Sequence, residues 1–225
     1  MRYFLAIFAL CGTQAIAQNT VADWFPLHTG DKWTYEHDTR DDTGRGPGNL
    51  ETHRWITEET IAGSWAIPEG VLAERRIRVS EGSPPPGYRV PPDQAYLIRD
   101  DCAYTNYVSS EPSSHRLAAD FRVQLLAGHI SPDFCFPLTE GRTWGAPHWG
   151  DWRPAADAKD WQVKGGPAGQ NTFRIVSTSS YPGSGMTVDI WFQKGVGIVR
   201  EEEIHHGTIG ETRIRLIHFD PAKPR

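Results

Sequence analysis

Alternation of apolar and polar residues near the C-terminal end most restricts what this chain can fold into. Val188, Ile190 and Phe192 alternate with Asp189 and Gln193, the two-residue period of a strand with one buried face. Gly195-Val196-Gly197 and His206-Gly207-Thr208-Ile209 then interrupt the pattern with turn-forming residues. The segments Thr187–Gln193, Ile198–His205 and Glu211–Phe219 are therefore predicted to form an antiparallel meander. Across its second hairpin, Glu201, Glu202 and Glu203 are expected to face Arg213 and Arg215, exposed pairs worth about 0.2–1 kcal/mol each.

The same reading predicts strands at Trp33–Thr39, Glu51–Ile61, Val71–Ser80, Ala95–Arg99, Ala103–Val108, Trp161–Lys164 and Thr172–Thr178. Apolar stripes of helical period are nearly absent. Only Arg116–Ala127 carries one, with Leu117, Phe121, Leu125 and Leu126 on one face and Gly128 as the stop. Asp41–Asn49 is polar and Gly-rich, and Ser83–Asp93 holds five prolines, so both read as loops. The expected fold is mainly all-β, a single curved antiparallel sheet or half-barrel with one short helix. One β-rich domain over 18–225 accommodates it, with two related halves at about 24–134 and 135–225 as a further possibility.

That possibility comes from an internal repeat. Phe25-Pro26-Leu27-His28-Thr29-Gly30-Asp31-Lys32-Trp33 recurs as Phe136-Pro137-Leu138-Thr139-Glu140-Gly141-Arg142-Thr143-Trp144, both reading F-P-L-x-x-G-x-x-W. Proline breaks the preceding ladder, glycine permits a turn of positive φ, and tryptophan opens the next strand with a large surface to bury. Duplication of a half-domain and independent reuse of a favourable strand-entry turn both explain the match.

The first residues set the compartment. Arg2 precedes the apolar run Phe4–Cys11, and Ala15-Ile16-Ala17 supplies small residues where a signal peptidase inspects the chain. The run is too short for a membrane span, which takes ~20 residues. Cleavage after Ala17 is expected, giving a secreted or periplasmic protein. Lipid anchoring at Cys11 is not expected, because Leu10 is bulkier than the residue that normally precedes a lipidated cysteine. Loss of Arg2 takes Lys plus Arg from 23 to 22 against 28 Asp plus Glu, a net charge of −6. With no basic block, nucleic acid is not an expected partner. Of the three cysteines, Cys102 and Cys135 remain. An even pair in an oxidising compartment predicts a disulfide, with two separate buried thiols as the alternative.

Familiar catalytic signatures are missing: no G-x-S-x-G, H-E-x-x-H, P-loop, G-x-G-x-x-G or EF-hand loop occurs. Among nine histidines, His205 and His218 could approach one another with Glu203 nearby, but zinc needs three or four converging ligands. Neither a metal nor a cofactor is expected. The aromatic stretch Trp144–Trp152 is the candidate ligand-binding feature. Trp144, Trp149 and Trp152 could stack on a sugar or an apolar ligand, with His148 and Asp151 orienting a polar group. The competing reading is that these rings fill the core. Three functions follow, in order of preference. The first is a non-catalytic domain that binds or carries an apolar or sugar-like ligand in an aromatic-lined cleft. The others are an envelope module that docks a protein, and a secreted hydrolase built on a pair such as Asp151 and His148.

FPLHTGDKWTY near the start, FPLTEGRTW in the middle and the late WFQKGVGIVREEE resemble a set of uncharacterised secreted or lipoprotein-type bacterial proteins. These share a Y/F-x-P-L-x-x-G-x-x-W-x-Y opening and a late K-G-V-G-x-V segment. The resemblance implies an exported β-rich domain and, by analogy, a curved sheet similar to that of periplasmic lipoprotein carriers. It brings no catalytic residues. Intact-mass analysis of the exported protein is expected to place its N-terminus at Gln18 and to detect no free thiol before reduction.

Overall fold

Strand-forming segments and turns follow one another along the chain in the order that the alternation suggests. The computed structural model describes residues 20–42, 50–86, 94–107, 132–144, 161–165, 172–181, 184–206 and 210–223, together with 119 and 123. It opens with a short helix, α1 (Val21–Trp24). The first six strands are β1 (Lys32–Asp42), β2 (Leu50–Ile67), β3 (Gly70–Gly82), β4 (Gln94–Arg99), β5 (Cys102–Tyr107) and β6 (Phe134–Cys135). The second six are β7 (Thr143–Trp144), β8 (Trp161–Gly165), β9 (Thr172–Tyr181), β10 (Ser184–Gln193), β11 (Gly197–His206) and β12 (Gly210–Asp220).

All twelve strands join one antiparallel sheet in the order β6-β5-β4-β3-β2-β1-β12-β11-β10-β9-β8-β7. Two meanders, β1–β6 and β7–β12, are stitched together where β1 pairs with β12 from Lys32↔Asp220 to Asp41↔Gly210. The sheet curls into a half-barrel. β6 and β10 stand eight positions apart in the order, roughly 38 Å on a flat sheet at about 4.8 Å per strand. Yet the rings of Phe134 and Phe192 are 4.9 Å apart.

The aromatic residues explain the curl. Phe25 lies edge-on to Tyr96 at 5.0 Å and to Phe192 at 6.4 Å, while Phe136 meets Phe192 at 5.9 Å. α1 and the segment after it lay Val21, Trp24, Phe25 and Leu27 across one end of the concave face. There they pack against Trp33, Ile61, Tyr96, Ile175, Ile190 and Phe192. α1 was not apparent in the sequence, since four residues carry no periodicity. A smaller apolar cluster, Leu72, Ala95 and Leu97 with Ile67 and Tyr104, forms on the opposite face of the sheet.

Both copies of the F-P-L-x-x-G-x-x-W motif build the same device. Gly30 and Gly141 have φ of +100° and +82°, which L side chains rarely adopt. Phe25 and Leu27, and likewise Phe136 and Leu138, are buried. Each tryptophan is the second residue of its strand and donates its indole N–H to a carbonyl: Trp33 Nε1 to Val196 O at 2.7 Å, Trp144 Nε1 to Asp133 O at 3.1 Å. The seventh motif position secures each loop by opposite charge. Asp31 accepts the His28 backbone N–H, whereas the Arg142 guanidinium donates to Pro137 O at 3.0 Å.

Cys102 and Cys135 are cross-strand partners in β5 and β6 and form the predicted disulfide, closing a separation of 33 residues. Loop-closure entropy makes such a bond worth about 3–4 kcal/mol. β2 runs past the expected Ile61 to Ile67, because the ladder to β3 absorbs Ala62 by a register shift between Ile61 and Gly63. The expected three-glutamate ladder is corrected. Side chains alternate between faces, so only Glu202 sits opposite Arg213 on the outside, at 3.6 Å. Arg215 turns instead to Glu36 of β1. The expected helix Arg116–Ala127 lies outside the described residues except for Ala119 and Val123, both helical.

Asp31 is 1% exposed and accepts the N–H groups of His28 at 2.7 Å and Ala222 at 2.8 Å. Asp31→Ala would remove the acceptor of both N–H groups. It is expected to lower the unfolding free energy by about 2–4 kcal/mol, read from urea denaturation, with Asp31→Asn losing less.

Candidate functional site

Residues in phase with Trp33 and Tyr35 on β1 face the concave interior. On β1 they are Trp33, Tyr35, His37 and Thr39, and on β2 Trp55, Thr57, Glu59 and Ile61, all buried. The phase continues through Arg75 on β3, paired with Ile61 and Gln94, and through Gln94 and Tyr96 on β4. From the other meander come Ile214 and Leu216 on β12, Glu201 and Glu203 on β11, and Val188, Ile190 and Phe192 on β10. The interior thus has an apolar floor at the α1 end and a belt of polar groups above it.

Arg75 is the centre of that belt. Its Nη1 donates to Glu59 Oε2 at 2.7 Å, its Nη2 donates to Gln94 Oε1, and its guanidinium lies over the Tyr96 ring, 5.1 Å from the centroid. Nε of the same guanidinium is buried with no hydrogen-bond partner. Burial works against its charge, but the Glu59 carboxylate more than compensates and holds Arg75 protonated. Burial also lifts Glu59 above the usual carboxylate range, against the pull of Arg75. Tyr35 and Tyr96 are raised as well, first by burial. The Tyr35 hydroxyl donates to Ile198 O at 3.0 Å.

Glu201 is enclosed by the curled sheet yet keeps part of its surface open to water. Burial, then the carboxylates of Glu203 and Glu59, push its pKa up to about 7 against a weaker pull from Arg75. Asp133, just before β6, rises to about 6 by burial, opposed by hydrogen bonds from Thr105. His37 is 5% exposed, stacks on Trp55 at 4.8 Å and 14°, and pairs its Nε2 with Thr57 Oγ1 at 2.8 Å. Burial lowers its pKa to about 4, so the ring is neutral, and its Nδ1 has no partner.

The convex face carries solvated charge. Trp191 lies between Arg174 at 5.3 Å and Arg200 at 4.8 Å. Arg174 grips Asp189 with two bonds of 3.0 and 2.6 Å. Asp38 pairs with Arg54 at 3.0 Å and Glu58 with Lys32 at 3.1 Å.

Of the residues singled out in the sequence, Trp144 is 8% exposed within the main core cluster. His148, Trp149, Asp151 and Trp152 lie outside the described residues. His205 and His218 do not meet. His205 is opposite Gly210 and bonds Glu203 at 2.6 Å, while His218 pairs with Thr34 towards the other end of β12. Among the described residues, no three His, Cys, Asp or Glu side chains are placed to hold a metal. Reading the sequence for motifs missed Glu59, Arg75, Glu201 and His37. The available signal was phase: Glu59 shares the odd-numbered positions of Trp55, Thr57 and Ile61, a polar residue on an otherwise inward face.

No protein family and no curated protein matches the chain. Solved structures with a similar chain path include a protein of Bacteroides fragilis NCTC 9343, provisionally described as exported and of YmcC-like fold. It is 11% identical, with a TM-score of 0.41, over 88% of this chain and 99% of that one. Another, provisionally described as a lipoprotein of Parabacteroides distasonis ATCC 8503, is 10% identical with a TM-score of 0.41, over 87% and 97%. Likeness this distant transfers no ligand or activity.

Because Glu201 titrates near 7 when folded against 4.5 ordinarily, ionising it opposes folding. That penalty is absent below about pH 4.5, grows as pH rises and is complete above about 7. Glu201→Gln is expected to match the wild type near pH 4.5 and to be more stable near pH 8, by on the order of 2–3 kcal/mol in urea denaturation. Equal stability near pH 8 would mean that the carboxylate is solvated.

Proposed function

We propose that the protein is an exported, non-catalytic binding or carrier domain whose ligand occupies the concave side of the curled sheet. Export is supported by the leader Met1–Ala17 with its Ala15-Ile16-Ala17 cleavage site. On this reading the chain groups with the exported proteins that share its FPLxxGxxWxY opening and KGVGxV segment. The observation that carries binding is a set of hydrogen-bonding atoms left idle in an enclosed interior: Nδ1 of His37 and Nε of Arg75. Buried polar groups are almost always satisfied. Two idle ones beside a carboxyl pushed up to about 7 mark a place where an occupant would complete the bonding. The aromatic rings Tyr35, Trp55 and Tyr96 along the same face suit an apolar or sugar-like body. Trp149 and Trp152, with His148 and Asp151, follow β7 in the sequence and belong to the proposal through their stacking and hydrogen-bonding chemistry; Trp144 is itself part of the core.

A second reading, docking of an envelope protein, is favoured by the tip of the β2–β3 hairpin. There Trp65 and Val71 are 36% and 40% exposed, and β1 pairs with β2 only as far as Thr60.

Native mass spectrometry of the mature protein is expected to show a co-purifying small molecule that extraction with organic solvent removes. Recovery of the bare mass alone, with an envelope protein retained by the wild type and lost from Trp65→Ala, would favour the docking reading instead.

A further inference from the structure

We infer that the concave site takes a primary ammonium group carried on an apolar body, with the Glu201 carboxylate and His37 Nδ1 as its acceptors. This rests on the binding reading above and adds the chemistry of the ligand.

Register places the two acceptors together. Ile190, Glu201, Ile214, His37 and Trp55 are successive cross-strand partners on β10, β11, β12, β1 and β2. Glu201 and His37 therefore flank Ile214 from either side, with backbones roughly 10 Å apart. On a concave face their side chains converge. His37 Nε2 is tied to Thr57 on β2, and Nδ1 of the same ring is left without a partner. With the proton on Nε2, donated to Thr57 Oγ1, Nδ1 is an idle acceptor in a residue 5% exposed.

The neighbouring charges select a cation. One row further from α1, Glu203 sits opposite Thr212, which is paired with Thr39. Arg75, the guanidinium on this face, is already engaged by Glu59 and Gln94. Glu201 is left with carboxylates as its strongest charged neighbours. A carboxylate ligand would be repelled, and a quaternary ammonium has no N–H to give. A primary ammonium has three donors, matching Glu201, His37 Nδ1 and water or Glu203. Ile190, Ile214 and Trp55 in the same row supply apolar surface for its chain.

Binding should then follow the ionisation of Glu201. The titratable groups that interact with it are Glu203 on its own strand, Tyr35 on β1, Glu59 on β2, Arg75 on β3 and Tyr96 on β4, and His37 on β1 shares its cross-strand row. β10 and β12 present Val188, Ile190, Thr212 and Ile214, which do not titrate.

Titration calorimetry of the mature, disulfide-bonded protein with decylammonium, decanol and decanoate separates the outcomes. Near pH 8, decylammonium is expected to bind at least about tenfold more tightly than either of the others, a difference of about 1.4 kcal/mol. Its affinity should fall about fivefold or more towards pH 5.5, where Glu201 is protonated but the amine remains charged. Glu201→Gln, a fold-preserving change of equal size, should lose about tenfold near pH 8 and flatten the pH profile. His37→Phe keeps a ring against Trp55 and should lose severalfold with the pH dependence intact. If decanol or decanoate binds as well as decylammonium, or Glu201→Gln binds it unchanged, the ammonium assignment is overturned and the binding reading stands. If none of the three binds, the ammonium assignment falls, and the co-purifying ligand sought by native mass spectrometry decides the binding reading.

Discussion

The aromatic cluster of Phe25, Phe134, Phe136 and Phe192 is the interaction on which the rest of the structure depends. It joins strands eight positions apart in the sheet order. Without that contact the twelve strands would form an open sheet with its apolar face in water. Each ring buries about 150–250 Å², and the edge-to-face geometry at 4.9–6.4 Å adds about 0.5–1.5 kcal/mol per pair. Gly197 shows how tightly the cluster is held. A Cβ there would come within 3.2 Å of the Phe25 ring, at a φ of +97°. The disulfide between Cys102 and Cys135 fastens β6 to β5, so the edge that carries Phe134 cannot fray away from its partner rings.

Curling creates an inside, and the inside is not uniformly apolar. A buried ion pair such as Arg75 with Glu59 is a poor stabilising device, because desolvation offsets much of the Coulombic gain. Apolar residues of similar volume would serve a core at least as well. The belt above the aromatic floor therefore adds little stability, and Glu201 subtracts from it increasingly as pH rises from about 4.5 to about 7. Titratable groups perturbed in this way cluster at functional sites, which is what makes the belt the candidate site. The convex face is the contrast: its charges pair at the surface, with the arginine well exposed in most pairs, where each bond is worth little.

Much of the fold was legible in the sequence. Period-2 alternation marks strands wherever one face is buried and the other wet, and Gly and Pro mark where they end. All ten expected strands are present, several longer by a few residues at their ends. The two-residue strands β6 and β7 left no pattern, since two residues define no period. The candidate site was far less legible. Glu201, Glu202 and Glu203 look alike as a run, and the sorting of Glu202 outward and its neighbours inward depends on register with β12. Arg75 and Glu59 are 16 residues apart, and each is an ordinary strand charge until the ladder sets them side by side.

By itself the sequence determined the strand-forming segments and the two F-P-L-x-x-G-x-x-W entries, because each depends on residues close together in the chain. Only the tertiary structure decided which face of each strand is inside and that Glu201, His37 and Arg75 share one interior. The physical reason is that register and curl are collective. They are set by ring packing between residues more than a hundred positions apart in the chain, such as Phe25 against Phe192, and no local pattern encodes a contact at that distance.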